Sequence, residues 1–253
     1  KLFLTIVDDF SRATWVHLLS HKSNTSALLQ AFIIFVEKQY DAKVKIVRSD
    51  NGLEFHNGSI QQFYREKGID IQATCVDTPQ QNGVVERKHQ HLLQVTRALM
   101  YQSNLSQKYW GEALLTATYL INRIPNSSIQ HKTPFELLHG SPPQYQHLKA
   151  YGCLCYASTL KRNRDKLQPR ATPCVFIGYP YGQKSYKLLD LDSKKTFTSR
   201  DVIFHETIFP LHATSNKSDM PSSMVFPDPI PTDYPHLSNN SDLDITDASY
   251  FLS

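Results

Sequence analysis

Two acidic residues separated by 35 residues place the strongest constraint on how this chain can fold. Asp50 follows a short β-branched stretch, Val44 to Arg48, that predicts a strand. Glu86 follows a Pro/Gln/Asn/Gly loop and lies on the first turn of a predicted helix. Carboxylates at a strand end and a helix start are typical of two-metal phosphoryl-transfer sites, whose divalent ions lie about 3.5–4 Å apart across the scissile phosphate.

The periodicity around these residues predicts an α/β layer. Strand-like stretches from Phe3 to Asp8 and from Thr14 to Leu19 form a predicted antiparallel hairpin, and helical spacing follows from Asn24 to Tyr40. The order β-β-α-β-α-β-α-α favours a mixed sheet flanked by helices. The later predicted elements are strands 44–48 and 69–75 and helices 59–67, 84–101 and 109–122.

After Pro134 the pattern changes to short strands separated by Gly, Pro and Asp/Ser turns, which indicates a small β-barrel. Beyond Pro210 the chain is rich in Ser, Asp and Asn and holds five of the fourteen prolines, which predicts a disordered tail or linker. The predicted strands of the barrel are 153–157, 174–179, 185–191 and 195–204. We therefore expect domains at residues 1–135, 136–210 and 211–253.

Charge is distributed unevenly along the chain, whose formal net charge is +4. From Ala213 onward there are one Lys and six Asp, so this segment has a net charge of −5 and the preceding residues +9. A basic body with an acidic tail is compatible with nucleic-acid binding, although many mildly basic proteins bind none. Apolar runs such as Ala31 to Val36 are far shorter than the roughly 18 residues that suggest a membrane span.

The four cysteines do not have zinc-finger spacing. Cys153 and Cys155 are two residues apart in a strand-like stretch, so their side chains share one face. We interpret the cysteines as buried core thiols, with a metal or redox role as the alternative.

Polar and basic residues near the carboxylates and in the second domain are candidate DNA contacts, because phosphate contacts supply most sequence-independent affinity for DNA. His89 continues the basic run that follows Glu86. The alternatives are a simple helix-entry loop and solvated surface charge. For Asp50 the alternative is an Asx-turn, and for Glu86 a stabilising charge at a helix N-terminus. The candidate DNA-binding residues are Gln81, Asn82, Arg87, Lys88, Lys161, Arg162 and Arg164.

Eight sequence blocks lie in order over the first two hundred residues. They are FLTIVDDFSRATWV (3–16), VRSDNG (47–52), TPQQNGVVERKH (78–89), YWGEA (109–113), YLINRIP (119–125), TPFELLHG (133–140), GCLCY (152–156) and CVFIGY (174–179). Together they resemble the integrase region of copia-type long-terminal-repeat retrotransposon Pol polyproteins.

The resemblance implies a ribonuclease H-like catalytic core followed by a small SH3-like β-barrel domain. It also implies 3′-end processing of DNA and strand transfer into target DNA with Mg²⁺ or Mn²⁺. The expected partners are the retroelement ends, target DNA and further copies of the chain, with no membrane. The expected location is intracellular, in the nucleus or a virus-like particle. Family members use three carboxylates, of which Asp50 matches the second and Glu86 the third, as catalytic and metal-binding residues.

The first carboxylate of the family lies on a strand before the hairpin, in a D-x-x-G-P block. This chain begins at Lys1, inside a strand-like pattern and without an initiator Met, so we expect a piece of a longer polypeptide with that carboxylate upstream. Asp8 and Asp9 are interpreted as turn and second-strand residues, and the alternative is that one of them acts near the metals. With two of three carboxylates, we expect the isolated chain to lack strand-transfer activity.

Two other functions remain open at the level of sequence. One is an independent ribonuclease H-like nuclease, which the long second domain argues against. The other is a catalytically inactive remnant or domesticated DNA-binding module of the same fold.

Overall fold

The elements of the chain follow the predicted α/β order and then the predicted β-rich order. A computed structural model describes residues 2–49, 52–73, 83–158, 170–212 and 249–252, and the structural statements below concern these residues. The strands are β1 (Leu2–Asp8), β2 (Thr14–Leu19), β3 (Ile46–Ser49), β4 (Asp70–Ala73), β5 (Leu154–Ser158), β6 (Ala171–Gly178), β7 (Tyr186–Asp190), β8 (Thr196–Ser199), β9 (Val202–His205) and β10 (Ser249–Leu252). The helices are α1 (Thr25–Tyr40), α2 (Leu53–His56), α3 (Gly58–Lys67), α4 (Gly83–Ser103), α5 (Trp110–Ile121) and α6 (Pro134–His139).

The first sheet is mixed and has the strand order β2-β1-β10-β3-β4. The predicted hairpin is confirmed, because β1 and β2 pair antiparallel from Leu2–Leu19 to Val7–Thr14. Strands β3 and β4 pair in parallel, so their carboxyl ends lie at the same edge of the sheet. Between these two pairs lies β10, a strand within the segment for which the sequence predicted a disordered tail or linker.

Helices cover both faces of the first sheet. Along β1, Leu4 and Ile6 pack in a core with Leu29 and Ile33 of α1. The alternate residue Phe3 packs on the opposite face in a cluster with residues of α4 and α5. This alternation follows from the two-residue period of a strand, and it places α4 and α5 on the face of β1 opposite α1.

The second sheet is antiparallel throughout, with the order β8-β7-β6-β5-β9. Phe176 lies at its centre with its ring edge-on to those of Tyr186 and Phe204, at centroid distances of 5.8 and 5.7 Å. The prediction of one strand over 195–204 is wrong. The stretch divides after Ser199 into β8 and β9, which lie at opposite edges of the sheet.

Two glycines allow the second sheet to approach α4 and α5 closely. Gly152 has φ +85°, and a Cβ on it would lie 2.6 Å from the Cα of Ser103. A Cβ on Gly178 would lie 2.5 Å from Oγ1 of Thr116. The second sheet therefore shares an apolar cluster with these two helices, which includes Leu99 of α4, Ala113 and Ala117 of α5 and residues of β6 and β7.

Three of the predicted core thiols, those of Cys153, Cys155 and Cys174, are fully buried. Burial raises the pKa of Cys153 and Cys174 to about 11, which keeps them protonated near neutral pH. Cys75 lies outside the described residues. In the part of the chain that the structure describes, no helix is both long and apolar enough to cross a membrane. The domain boundaries expected from the sequence stay a prediction.

Candidate functional site

Strand β3 leads directly to the first predicted carboxylate. Val47 and Ser49 are 1% exposed, and Ser49 is the last described residue before Asp50. Asp50 itself lies outside the described residues. The same holds for the predicted DNA contacts Gln81, Asn82, Lys161, Arg162 and Arg164.

Helix α4 presents the second predicted carboxylate, Glu86, on its first turn. The side chain of Glu86 is exposed, and within the described part of the chain it has no hydrogen-bond or ion-pair partner. Its neighbour Val85 is fully buried and packs with Val7 of β1. The helix start is therefore fixed by apolar packing on one side while the carboxylate faces outward on the other.

His89, one turn after Glu86, anchors α4 to the middle of β1. It is 4% exposed, and its Nδ1 lies 3.3 Å from Oγ1 of Thr5. Its ring stacks on that of Phe3 with a centroid distance of 4.8 Å and an interplanar angle of 2°. The prediction that His89 projects a basic group from the helix start is thus wrong, because the residue is part of the packing beneath the helix.

The sheet register relates the two predicted carboxylates to each other. Ile6, Tyr250 and Ser49 lie in one row across β1, β10 and β3. The adjacent row contains Thr5, on which His89 packs. Two strand spacings, about 10 Å in total, separate β1 from β3. The chain therefore leaves β3 toward Asp50 close to the row of Thr5, on which His89 of α4 packs.

The carboxylates of Asp8 and Asp9 are both engaged within the turn between β1 and β2. Oδ2 of Asp8 accepts hydrogen bonds from the backbone N and the Oγ of Ser11, at 2.8 and 2.5 Å. Asp9 forms an ion pair with Arg12. Asp8 also lies two rows beyond Ile6 in the direction away from Thr5. These contacts support the interpretation of both residues as turn residues.

The predicted basic residues at the start of α4 differ in their surroundings. Arg87 is exposed, and its guanidinium lies near Gly83 of the same helix. Lys88 is half-buried, and its pKa is lowered by burial and by the positive charge of Arg12. The positive charges of Arg12 and Lys88 therefore lie close to each other.

The donor types at this place suit a hard divalent cation, because carboxylate oxygens are the ligands that Mg²⁺ and Mn²⁺ prefer. Glu86 is exposed and not engaged with another described residue, so its oxygens are available as ligands. No group of three or more His, Cys, Asp or Glu side chains that could hold a metal is found among the described residues, a set that leaves out Asp50.

Comparison with known protein families identifies two domains in the chain. The family described as integrase core domain matches residues 1–79. The first part of the chain is therefore similar to integrase core domains. Residues 153–218 match the retroviral polymerase SH3-like domain. The ribonuclease H-like α/β layer and the SH3-like second domain expected from the resemblance are thereby confirmed.

Similar full-length proteins are retrovirus-related Pol polyproteins of plant transposons. The chain is 37% identical over 207 residues to that of transposon TNT 1-94 of Nicotiana tabacum, covering 82% of this chain and 16% of the relative. It is 34% identical over 215 residues to that of transposon RE2 of Arabidopsis thaliana, covering 85% of this chain and 15% of the relative. The chain thus spans about one sixth of the length of these relatives.

Among solved structures, the HTLV-2 integrase catalytic core domain in complex with magnesium is similar at 19% identity and a TM-score of 0.41. The likeness covers 53% of this chain and 81% of that one. At this identity and score it carries no statement about activity.

Sequence reasoning missed the structural roles of Arg12 and His89. Arg12 has a left-handed φ of 59° in the hairpin turn, and the sequence SRAT (11–14) gives no signal that predicts this conformation. His89 could have been found from helical spacing, since it falls between the buried Val85 and Leu92 on one face of α4.

Proposed function

We propose that this chain is the part of a copia-type retrotransposon Pol polyprotein that integrates DNA. In this proposal Asp50 and Glu86 are two of the three carboxylates that bind Mg²⁺ or Mn²⁺ for 3′-end processing and strand transfer. The substrates are the retroelement ends and target DNA, and the working form is a homo-oligomer because two DNA ends must be joined together. The eight sequence blocks and the integrase core match support the family assignment.

One observation carries the catalytic part of the proposal. Glu86 is exposed on the first turn of α4, and the buried side of this helix packs on β1. In the sheet register, β3 ends beside this part of β1, at Ser49, one residue before Asp50. Positions held by a sheet and by a packed helix are rigid, and phosphoryl transfer depends mainly on position and charge.

The roles of the residues follow from this arrangement. Two divalent ions, when bound, lower the pKa of the attacking water or 3′-hydroxyl and stabilise the leaving oxygen. Asp50 would hold one ion from the end of β3, and Glu86 the other from the start of α4. Arg87 and the pair of Lys88 and Arg12 would contact phosphates beside Glu86. Gln81 and Asn82 would contact the DNA end, and Lys161, Arg162 and Arg164 the DNA held by the second domain.

A Mn²⁺- or Mg²⁺-dependent strand-transfer assay tests the proposal. A longer polypeptide that supplies a third carboxylate should join a labelled retroelement end to target DNA. Asp50→Asn and Glu86→Gln should each reduce joining by at least a hundredfold. Glu66→Gln is the matched control, because Glu66 is an exposed acid of α3 that bonds only Gln62 within the described residues. The 253-residue chain itself should bind DNA and join none.

Three results would contradict the assignment. Full joining by Glu86→Gln in the longer polypeptide would remove Glu86 from the site. Joining by the 253-residue chain that is abolished by Asp8→Asn would give Asp8 the role of the first carboxylate. DNA binding without joining by the longer polypeptide would favour the alternative, an inactive remnant or a domesticated DNA-binding module.

A further inference from the structure

Arg123 follows the C-terminal end of α5 and packs against the rings of two aromatic residues. Its guanidinium carbon lies 3.5 Å from the ring centroid of Tyr119 and 4.8 Å from that of Phe135 on α6. Nη1 of Arg123 donates a hydrogen bond to the backbone O of Tyr119 at 3.0 Å. These contacts hold the guanidinium in place, and its other N–H donors have no acceptor among the described residues.

No carboxylate compensates the charge of Arg123 in the part of the chain that the structure describes. The ion pairs found there do not include Arg123. The titratable groups that act on it are three tyrosines, Tyr119, Tyr179 and Tyr145. Burial lowers the pKa of Arg123, because a half-buried guanidinium has lost part of its hydration. An anion bound here would give the charge the partner that it lacks.

Two histidines flank the guanidinium, one beside each aromatic ring. Nε2 of His147 lies 2.7 Å from the OH of Tyr119, and the ring centroid of His139 lies 4.2 Å from that of Phe135. Burial, followed by the positive charge of Arg123, lowers the pKa of both histidines, so they are mainly neutral at pH 7. A neutral imidazole can donate one hydrogen bond and can take up a proton when negative charge approaches.

The cluster of Arg123, His139 and His147 can be reached from solvent. His139 is exposed and Arg123 is half-buried. The OH of Tyr145 donates a hydrogen bond to the backbone O of Arg123 at 3.0 Å, and Tyr145 is 49% exposed. A ligand can therefore approach the guanidinium without opening the core.

We propose that Arg123, His139 and His147 form a binding site for a phosphate group. A guanidinium binds two phosphate oxygens through parallel N–H···O bonds, and imidazole N–H groups supply further donors. The phosphate belongs either to a nucleic-acid backbone or to a free phosphate, since both present the same oxyanion. The site uses none of the residues that have a role in the proposed function, so its existence does not depend on that function.

Titration of the full chain with inorganic phosphate at constant ionic strength, followed by the histidine ring signals in NMR spectra, tests the site. The signals of His139 and His147 should shift saturably. Phosphate should raise the pKa of both histidines by about half a unit or more, because nearby negative charge favours the protonated imidazole. The exposed His131 and His205 should not respond. Acetate should cause no saturable shift, and binding of acetate as tight as that of phosphate would overturn the assignment to phosphate.

Two variants test the residues of the site. Arg123→Gln should weaken phosphate binding about tenfold, and His139→Gln about threefold, because each removes a hydrogen bond to a charged group. His139→Gln changes an exposed side chain, so it keeps the test decisive if Arg123→Gln does not fold. Arg65→Gln, which removes an exposed arginine of α3, is the matched control and should bind phosphate like the wild type. Unchanged affinity in both site variants would overturn the proposal.

A single-stranded oligonucleotide distinguishes the two sources of the phosphate. For a backbone phosphate, Arg123→Gln should weaken oligonucleotide binding and lower the slope of its salt dependence by about one, whereas Arg65→Gln should change neither. Weaker binding of inorganic phosphate with unchanged oligonucleotide binding would assign the site to a free phosphate. Absence of saturable phosphate binding by the wild type would overturn the proposal.

Discussion

The two sheets of this protein are assembled by opposite kinds of strand pairing. The first combines a hairpin, a parallel pair and a strand from the far end of the sequence. The second consists of antiparallel neighbours, and three of its four pairings join strands that are consecutive in the chain. The order of the strands along the chain therefore differs more from their order in space in the first sheet than in the second.

The two regions, which are the first sheet with its helices and the second sheet, also differ in the polarity of their buried side chains. Every buried Ser, Thr or His side chain among the described residues lies at or before Thr133, and none lies in β5–β9. One core cluster of the second sheet consists of thiols, aromatic rings and aliphatic side chains, and Cys155 and Cys174 lie directly opposite each other in it. Polar groups in the first region, such as Thr5 and His89, connect the helix that carries Glu86 to the sheet. The first region therefore holds polar side chains in its interior, whereas the interior of the described strands β5–β9 contains no buried Ser, Thr or His side chain.

The largest effect is expected where the two regions meet. Gly152→Ala would place a methyl group in contact with the backbone of Ser103 at a residue with φ +85°. We expect a loss of about 3 kcal/mol or more in the free energy of unfolding, because strain and overpacking add. Denaturant unfolding followed by circular dichroism measures it.

Gly182→Ala is the matched control for this change. Gly182 has φ +70° but nothing within 4 Å of its added Cβ, so only the backbone strain of about 1 kcal/mol should appear. If both variants lose the same free energy, close packing between the regions contributes nothing beyond backbone strain.

The second prediction compares one histidine from each region. His89→Ala removes a buried ring that stacks on Phe3, and we expect a loss of about 2–4 kcal/mol by the cavity argument. His205→Ala removes an exposed ring of β9 that contacts Tyr156 edge-on, and the loss should stay below about 1 kcal/mol. Thermal unfolding of both variants measures the difference. A loss for His205→Ala as large as that for His89→Ala would contradict the contrast between the two interiors.

The third prediction concerns pH and belongs to the second region. Burial raises the pKa of Cys153 and Cys174 from 9.0 to about 11. Between these values the unfolded thiols lose protons while the folded ones keep theirs, so stability is lost as pH rises from 9 to 11. Each thiol should contribute about 1 kcal/mol to the loss at pH 10. Urea unfolding of the wild type and of the Cys153→Ala, Cys174→Ala double variant measures it, and identical pH slopes would contradict the prediction.

The sequence predicted most of the first region because its signals are local. The hairpin, α1 and α4 follow from alternation or helical spacing within one segment. The division of residues 195–204 into β8 and β9 was missed, because the bend after Ser199 depends on which neighbours pair with each half. β10 was missed for the same reason, since its pairing with β1 and β3 is set by the sheet and not by its own sequence.

The assignment of Asp50 and Glu86 as site residues stays a prediction, which rests on their spacing and on their places after a strand and at a helix start. The supports of Glu86 were less predictable from the sequence. The packing of His89 on Thr5 could not be predicted, since a contact across 84 residues has no local signal. Asp8 and Asp9 illustrate the opposite case, in which a local turn signal was enough.

The smallest effect is expected from the ion pair that joins the two regions. Nζ of Lys187 on β7 lies 2.6 Å from Oε1 of Glu112 on α5, and both side chains are partly exposed. Lys187→Met should cost less than about 1 kcal/mol, because partly exposed ion pairs gain little over their hydrated ions. Lys67→Met, which breaks the pair with Glu37 inside the first region, is the matched control and should cost a similar amount. Unfolding at low and high salt measures both. A cost for Lys187→Met near that of Gly152→Ala would mean that charge, and not the apolar cluster beneath Gly152 and Gly178, holds the second sheet against α5.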